Sequence, residues 1–343
     1  MYHTTLAQRV IRILVCVLVA AYTVWGAMAM WYQLPGPLPV RWVVIFAWCA
    51  LGVYIIYRSR PTRAARVHSA RLSWLAYAAI AGALLAWWST LAPSHQRFWA
   101  DDVARMLESD VKGNMVELRN VRNFDWRSET DYTPRWETRH YDLETLANAD
   151  LFLSYWMGPK IAHTLVSFGF DDGQRVVFSL EIRKEQQESF SAVGGFFRQF
   201  EQVIIAADER DIIRVRSNVR GEDVYVYRLG LSPEQLKTLF MVYLTDAQAL
   251  LNKPKFYNSL TSNCTTIVYD VARHVDPGLP FDYRLLLSGY FANYAYDHGG
   301  LIGGHSFASL REAGRIHSRA LAAGDDDAFS ALIRRGVPGV SPA

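Results

Sequence analysis

Lysine and every acidic residue are missing from the first 100 positions, where nine arginines carry all the formal charge. A water-exposed domain surface normally mixes both signs, so this third of the chain does not read as a soluble domain. Cysteine is scarce too: there are three, Cys16, Cys49 and Cys264. Cys16 and Cys49 fall inside apolar runs, which excludes a disulfide framework of the kind that stabilises small secreted domains. Cys264 stands alone outside those runs. Also missing are glycine-rich phosphate loops, a dinucleotide fingerprint after a strand, and a G-x-S-x-G nucleophile elbow. His298 and His305 flank a glycine-rich segment, but their spacing of seven fits no common zinc pattern. No metal and no cofactor are therefore expected.

The composition of what is present, 51% hydrophobic and 20% charged, excludes a disordered chain. Residues 101–343 hold 27 basic and all 33 acidic residues, a net charge of −6. An acidic domain argues against nucleic acid as partner, because phosphate contacts need clustered cations. A basic, apolar first third followed by an acidic remainder reads as a membrane anchor carrying a soluble domain.

Three uncharged stretches supply the anchor, at about 13–31, 40–57 and 72–92. The first would extend ~28 Å as a helix, enough to cross a hydrocarbon core. A cleaved signal peptide would have a shorter apolar segment and no second span directly behind it. Arg58, Arg60, Arg63, Arg66 and Arg71 lie between spans two and three with no acid among them. Positive loops stay on the cytoplasmic side. The expected topology is therefore a multi-pass membrane protein, N-terminus cytoplasmic and everything after Pro93 extracytoplasmic. Trp31, Trp42, Trp87, Trp88 and Trp99 sit where an aromatic belt would place them.

Behind the anchor (residues 1–94), the periodicity of 95–111 predicts a juxtamembrane amphipathic helix. Met115–Val121 alternates as a strand, and Arg122–Arg139 reads as a structured aromatic loop. Lys160–Phe170 and Arg175–Arg183 are rich in β-branched and aromatic residues and enclose Asp171-Asp172-Gly173, a strong hairpin signal. Gln202–Ala206, Ile212–Arg216 and Val224–Arg228 are further strand candidates. Ser232-Pro233-Glu234-Gln235 opens a helix with a capping box, and another starts near Cys264. The expected class is α+β, with an antiparallel sheet and attached helices over 112–298, followed by a C-terminal tail at 299–343.

Candidate chemistry gathers at three residues. Thr261-Ser262-Asn263-Cys264-Thr265-Thr266 places the lone thiol at a helix start, where backbone N–H groups and the helix dipole lower a thiol pKa. The bland reading is a small buried apolar cysteine. His163 lies within the first hairpin strand, where a core histidine bonded to a carbonyl is the ordinary case. If Asp172 centres the turn, residues whose numbers sum to 344 face each other, and His163 lies opposite Glu181 at ~5 Å. A carboxylate beside an imidazole fixes its tautomer and supports its charged form. Glu181 could instead pair with Arg183 or Arg175. Asn263, Thr265 and Arg183 are candidates for substrate or oxyanion support.

The ordered set Asn120-Val121-Arg122-Asn123-Phe124, Ser128-Glu129-Thr130-Asp131-Tyr132, Ile161-Ala162-His163-Thr164, Ser179-Leu180-Glu181-Ile182-Arg183, Asp208-Glu209-Arg210-Asp211 and Asn263-Cys264-Thr265-Thr266 resembles a bacterial family. It is named after the N-terminal periplasmic domain of Lnb, a lipoprotein N-acyltransferase. More distantly, a strand His followed by Asn-Cys is similar to circularly permuted papain-like enzymes of the NlpC and lecithin:retinol acyltransferase type. The resemblance implies Cys264 as nucleophile, His163 as base and Glu181 as third member. It also implies acyl transfer on a lipid-bearing substrate such as a lipoprotein, through an acyl-thioester. In the family's name the periplasmic domain is N-terminal, whereas here three spans precede it. A papain-like peptidase or amidase on cell-wall peptides, and a non-catalytic membrane-tethered interaction domain, are the alternative expectations.

Overall fold

The computed structural model describes residues 5–59 and 67–340. The chain forms two compact units, one of 1–93 with 192–199, the other of 94–191 with 200–343.

The first unit contains helices α1 (Leu6–Gln33), α2 (Leu38–Arg58) and α3 (Val67–Thr90), each long and apolar enough to cross a membrane. They coincide with the predicted spans. Thr5 and Gln8 start α1 with a reciprocal capping box, and Pro37 caps α2. Small residues let the helices approach: Gly52 lies against Thr23, and Gly26 against Leu84 and Trp48, as expected where packing rather than water drives association. Trp48 Nε1 donates to the Thr23 carbonyl at 2.8 Å and Tyr22 Oη to Ala81 at 2.8 Å. The short helix α4 (Ala192–Phe196) and the residues after it belong to this unit. Gln33 Nε2 donates to the carbonyls of Phe197 and Arg198, at 2.9 and 2.7 Å. Arg60, Arg63 and Arg66 of the arginine-rich loop lie outside the described residues.

The second unit is α+β. Its strands are β1 (Glu108–Lys112), β2 (Met115–Arg122), β3 (Asp125–Trp126), β4 (Tyr132–Thr133), β5 (Trp136–Asp142), β6 (Leu146–Tyr155), β7 (Ala162–Phe170), β8 (Arg175–Arg183), β9 (Glu201–Ala207) and β10 (Asp223–Arg228). Among the described residues, eight of them make one sheet in the order β1-β2-β9-β8-β7-β6-β10, with β5 also on β2. Pairing is antiparallel except where Arg122 meets Ala207. The β7–β8 hairpin has the predicted register, running from Leu165–Ser179 to Gly169–Arg175. Gly173 closes its turn at φ +86, a value that favours glycine.

Helices α5 (Glu209–Arg214), α6 (Pro233–Asn252), α7 (Cys264–Val275), α8 (Phe291–Asp297), α9 (Phe307–Gly314), α10 (His317–Ala323) and α11 (Phe329–Leu332) complete the unit. The capping box of Ser232 and Gln235 starts α6 as expected. Phe168 and Phe178 of the hairpin pack edge-on against Phe240 of α6, ring centres 5.1 and 5.3 Å apart, and Tyr243 stacks on Phe178 at 5.1 Å.

Several expectations are corrected. Residues 95–111 are not an amphipathic helix. They hold one 3-10 turn at Asp101–Val103 and then β1, with Val103, Met106 and Leu107 buried in the domain core. Arg122–Arg139 is partly strand, since β3, β4 and the start of β5 fall there. Ile212–Arg216 is not a strand but the end of α5 and a wider turn after it. Asp208 caps α5 by accepting from the Arg210 N–H at 2.9 Å. Residues 299–343, expected as a tail, contribute Leu310, Ile316, Phe329 and Ile333 to the main core.

Arg334 shows how firmly that segment is built in. It is 1% exposed and donates to Asp150 Oδ2 at 2.7 Å and to Glu209 Oε2 at 2.7 Å. Asp150 also receives Arg228 and Arg175. Breaking one partner of a buried ion pair leaves an uncompensated charge, at a cost of about 3–5 kcal/mol. Arg334→Met should destabilise the second unit by that amount, read from denaturant unfolding of the detergent-solubilised chain by tryptophan fluorescence. An unchanged midpoint would show that the segment is not part of the cooperative unit.

Candidate thiol site

The site is built where the start of α7 meets β7. Asn263, in extended conformation, caps the helix. Its Oδ1 accepts from the N–H groups of Thr265 and Thr266 at 2.9 and 3.0 Å, while Thr266 Oγ1 accepts from the Asn263 N–H at 2.8 Å. This reciprocal cap places Cys264 at the first helical position, near the positive end of the dipole. Thr265 Oγ1 contacts Thr164 Oγ1 at 3.1 Å, which pins the helix to β7 one residue from His163.

His163 presents Nε2 to Ser179 Oγ at 2.7 Å and to Glu181 Oε1 at 3.0 Å. Ser179 in turn donates its hydroxyl proton to Glu181 Oε1 at 2.7 Å, so the serine oxygen accepts from the imidazole and Nε2 carries the proton. That leaves Nδ1 to interact with Cys264, which acts on the ring and favours its charged form. Ser179 and Glu181 share one face of β8 by the two-residue alternation of a strand. Although formal pairing ends at Leu165–Ser179, the His163 and Glu181 side chains converge.

The charges reinforce one another. Burial opposes a charged imidazole, but Glu181 and the nearby sulfur outweigh it, and the His163 pKa is pushed up to about 9. Burial would likewise raise the Cys264 thiol. The adjacent imidazolium and the Thr164 N–H overcome this, holding the thiol below its ordinary value. Glu181 is driven well below the usual carboxylate range, against its own burial, by His163 and Arg216. A thiolate beside an imidazolium is a competent nucleophile with its proton donor in place. Cys264 is only 7% exposed, yet it lies within reach of the Thr265 hydroxyl and of the charges on His163 and Glu181.

The three supporting candidates have other duties. Asn263 is consumed by capping, its Nδ2 donating to Ser259 O at 3.0 Å. The Thr265 N–H is held by that cap, so it is not offered to an oxyanion. Arg183 does not join the site; it donates to the carbonyls of Val103 and Ala104 at 3.1 and 2.7 Å and lies over Trp99 at 4.4 Å.

Sequence reasoning missed three residues. Ser179 was legible, being two positions before Glu181 on the same strand face. Arg216, whose Nη2 donates to Glu181 Oε1 at 2.7 Å, was hidden by the mistaken strand. Tyr257 carries no local signal; burial and the nearby sulfur raise its pKa. Among the described residues no group of three or more His, Cys, Asp or Glu is placed to hold a metal ion.

All of these side chains lie within residues 132–289, which match the family model described as the Lnb N-terminal periplasmic domain. That is the family the ordered motifs resemble. No significant match was found among curated proteins or among solved structures.

The electrostatics yield a signed prediction. Glu181→Gln removes a negative charge beside both titrating groups, so both should give up protons more readily. The pH profile of Cys264 alkylation by iodoacetamide should move to lower pH by about one unit or more, given that a charge within a few ångströms shifts a pKa by 1–3 units. An unmoved profile would mean that Glu181 does not sense the pair.

Proposed function

We propose that the chain is a membrane-anchored periplasmic thiol acyltransferase or hydrolase that works through an acyl-thioester. The single observation supporting this is the Cys264–His163–Glu181 arrangement, with the sulfur at a capped helix start and a carboxylate 3.0 Å from the imidazole. The Cys264 thiolate attacks an ester or amide carbonyl, forming the carbon–sulfur bond. As the carbon–oxygen or carbon–nitrogen bond breaks, imidazolium gives its proton to the leaving atom. The neutral imidazole then takes a proton from an amine, a hydroxyl or water. That acceptor displaces the sulfur and restores the thiolate–imidazolium pair. A strand histidine opposite a helix-start cysteine is also the arrangement of papain-like thiol enzymes.

The match to a periplasmic-domain family and the three apolar helices support an inner-membrane protein whose N-terminus is cytoplasmic and whose second unit is periplasmic. Tethering to a membrane favours a lipid-bearing substrate such as a lipoprotein. A periplasm-active phosphatase fused behind Ala343 should be active, and the same reporter inserted between Arg63 and Arg66 should be silent. The opposite pattern would invert the topology.

The chemistry is tested by expressing wild type, Cys264→Ala and His163→Ala in a deletion strain and following lipoprotein acylation by mass spectrometry. Wild type should change the lipid forms, Cys264→Ala should not, and His163→Ala should be slower by roughly 10²–10⁴-fold, the usual worth of a general acid–base. Identical lipid forms in all strains would remove the lipoprotein reading. An altered muropeptide profile in the deletion strain would point to cell-wall peptides instead.

A further inference from the structure

The carboxylate that supports His163 has a second partner. Arg216 Nη2 donates at 2.7 Å to Glu181 Oε1, the same oxygen that takes the Ser179 hydroxyl and lies 3.0 Å from His163 Nε2. An unusual stretch of backbone delivers this guanidinium. After α5 ends at Arg214 the chain widens into a π-turn over Val215–Val219, closed by the Arg220 N–H on Val215 O at 2.9 Å. Such turns rotate a side chain out of the α-helical series and recur at functional sites. The Arg216 side chain is 8% exposed, and its Nε is buried without a hydrogen-bond partner. Its Nη1 lies 3.7 Å from Glu222 Oε2, and Glu222 holds Ser154, the residue paired with His163 on β6. Keeping a guanidinium buried with one donor unmet is unfavourable, so the fold tolerates a cost to keep a positive charge at this spot.

We propose that Arg216 is a positioning residue of the thiol site: it fixes the Glu181 carboxylate against His163 Nε2 and sets a permanent positive charge behind that carboxylate. The inference rests on Cys264 and His163 carrying out the acyl transfer proposed above. A buried carboxylate with no other partner would hold the imidazolium so firmly that its proton would not pass to a leaving group. Arg216 offsets that grip while keeping the carboxylate oriented. The groups that set the local charge are Cys264 on α7, Tyr257 before it, Glu181 on β8, Arg216 and Arg220 at the π-turn, Glu222 beyond it, and Arg122 on β2. Removing one cation from this set raises the proton affinity of the sulfur and the imidazole together.

The test compares the pH profile of Cys264 alkylation by iodoacetamide in the full-length, detergent-solubilised wild type, Arg216→Gln and Arg216→Lys. Arg216→Gln keeps a donor for Glu181 but loses the charge, and its inflections should move to higher pH by about one unit, as loss of a nearby charge does. Arg216→Lys keeps the charge and should stay within a few tenths of a unit of wild type. Arg216→Met is a second neutral variant should the glutamine not accumulate. Neutral variants whose inflections coincide with wild type overturn the proposal, even if alkylation is slower throughout, since a purely structural role changes amplitude and not position. Equal shifts in the lysine and glutamine variants overturn it as well. A wild-type sulfur that does not react overturns the acyl-transfer reading and this inference with it, whereas a reactive wild type with unmoved variants overturns this inference alone.

Discussion

A contact of 3.1 Å between two hydroxyls, Thr164 on β7 and Thr265 on α7, joins residues 101 positions apart, and the rest of the site is arranged around it. Each threonine is the chain neighbour of a candidate catalytic residue, His163 on one side and Cys264 on the other. Both are almost fully buried, so the pair has no water to fall back on and the hydroxyls satisfy each other. The tolerance is small on both sides. A one-residue slip of β7 would send His163 to the opposite face of the sheet. A shift of the helix start would take the sulfur off the first helical position that the Asn263 cap defines. Register in the sheet and capping in the helix, two local properties, thus combine into one long-range geometry.

Two buried charge clusters in the same unit show how different their tasks are. Around Arg334, the acids Asp150 and Glu209 are surrounded by several arginine donors and by Ser167, and the acidic groups are well satisfied. That pattern holds β6, α5 and the C-terminal residues together. Around His163, two donors, Ser179 and Arg216, converge on the one oxygen of Glu181 that lies 3.0 Å from the imidazole, and an arginine N–H is left unmet. A cluster selected for stability alone would not concentrate its donors in this way, because partly satisfied polar networks are worse than apolar packing. In the second cluster the carboxylate favours the charged imidazole and the guanidinium opposes it.

Much of this was readable from residues alone where a signal is local. The spans followed from long uncharged runs, the hairpin register from Asp171-Asp172-Gly173, and the start of α7 from Asn263 followed by Thr265 and Thr266. Because the register was right, Glu181 came out as the neighbour of His163. What was not readable depends on tertiary partners. Strand β6 carries Asp150 in its centre, which looks wrong for a buried strand until Arg228, Arg175 and Arg334 are in place. Helix α5 spans only Glu209–Arg214, too short to show a period, and its Ile212-Ile213 reads as strand. Short helices owe their existence to packing more than to propensity. Among the described residues, 299–340 contain three such pieces, and that is why the segment looked like a tail.

The family-matching segment and the folding unit differ in extent, for a physical reason. Asp150 and Glu209 lie inside 132–289, yet the arginine that bridges them, Arg334, lies beyond it. Asp211 also lies inside and is fully buried. Its partners are Arg122 at 2.8 and 3.0 Å, the Phe124 N–H at 2.9 Å and Trp126 Nε1 at 2.7 Å, all before residue 132. Cut at its matched borders, the segment would bury Glu209 and Asp211 without the cations that neutralise them, and a carboxylate in that state is among the costliest defects a core can hold. The flanks thus close the charge balance of the scaffold, and α5, which carries both acids and leads directly into the turn bearing Arg216, is held in place from both sides. The position of the guanidinium behind Glu181 therefore depends on residues on both sides of the matched segment, Arg122 before it and Arg334 after it.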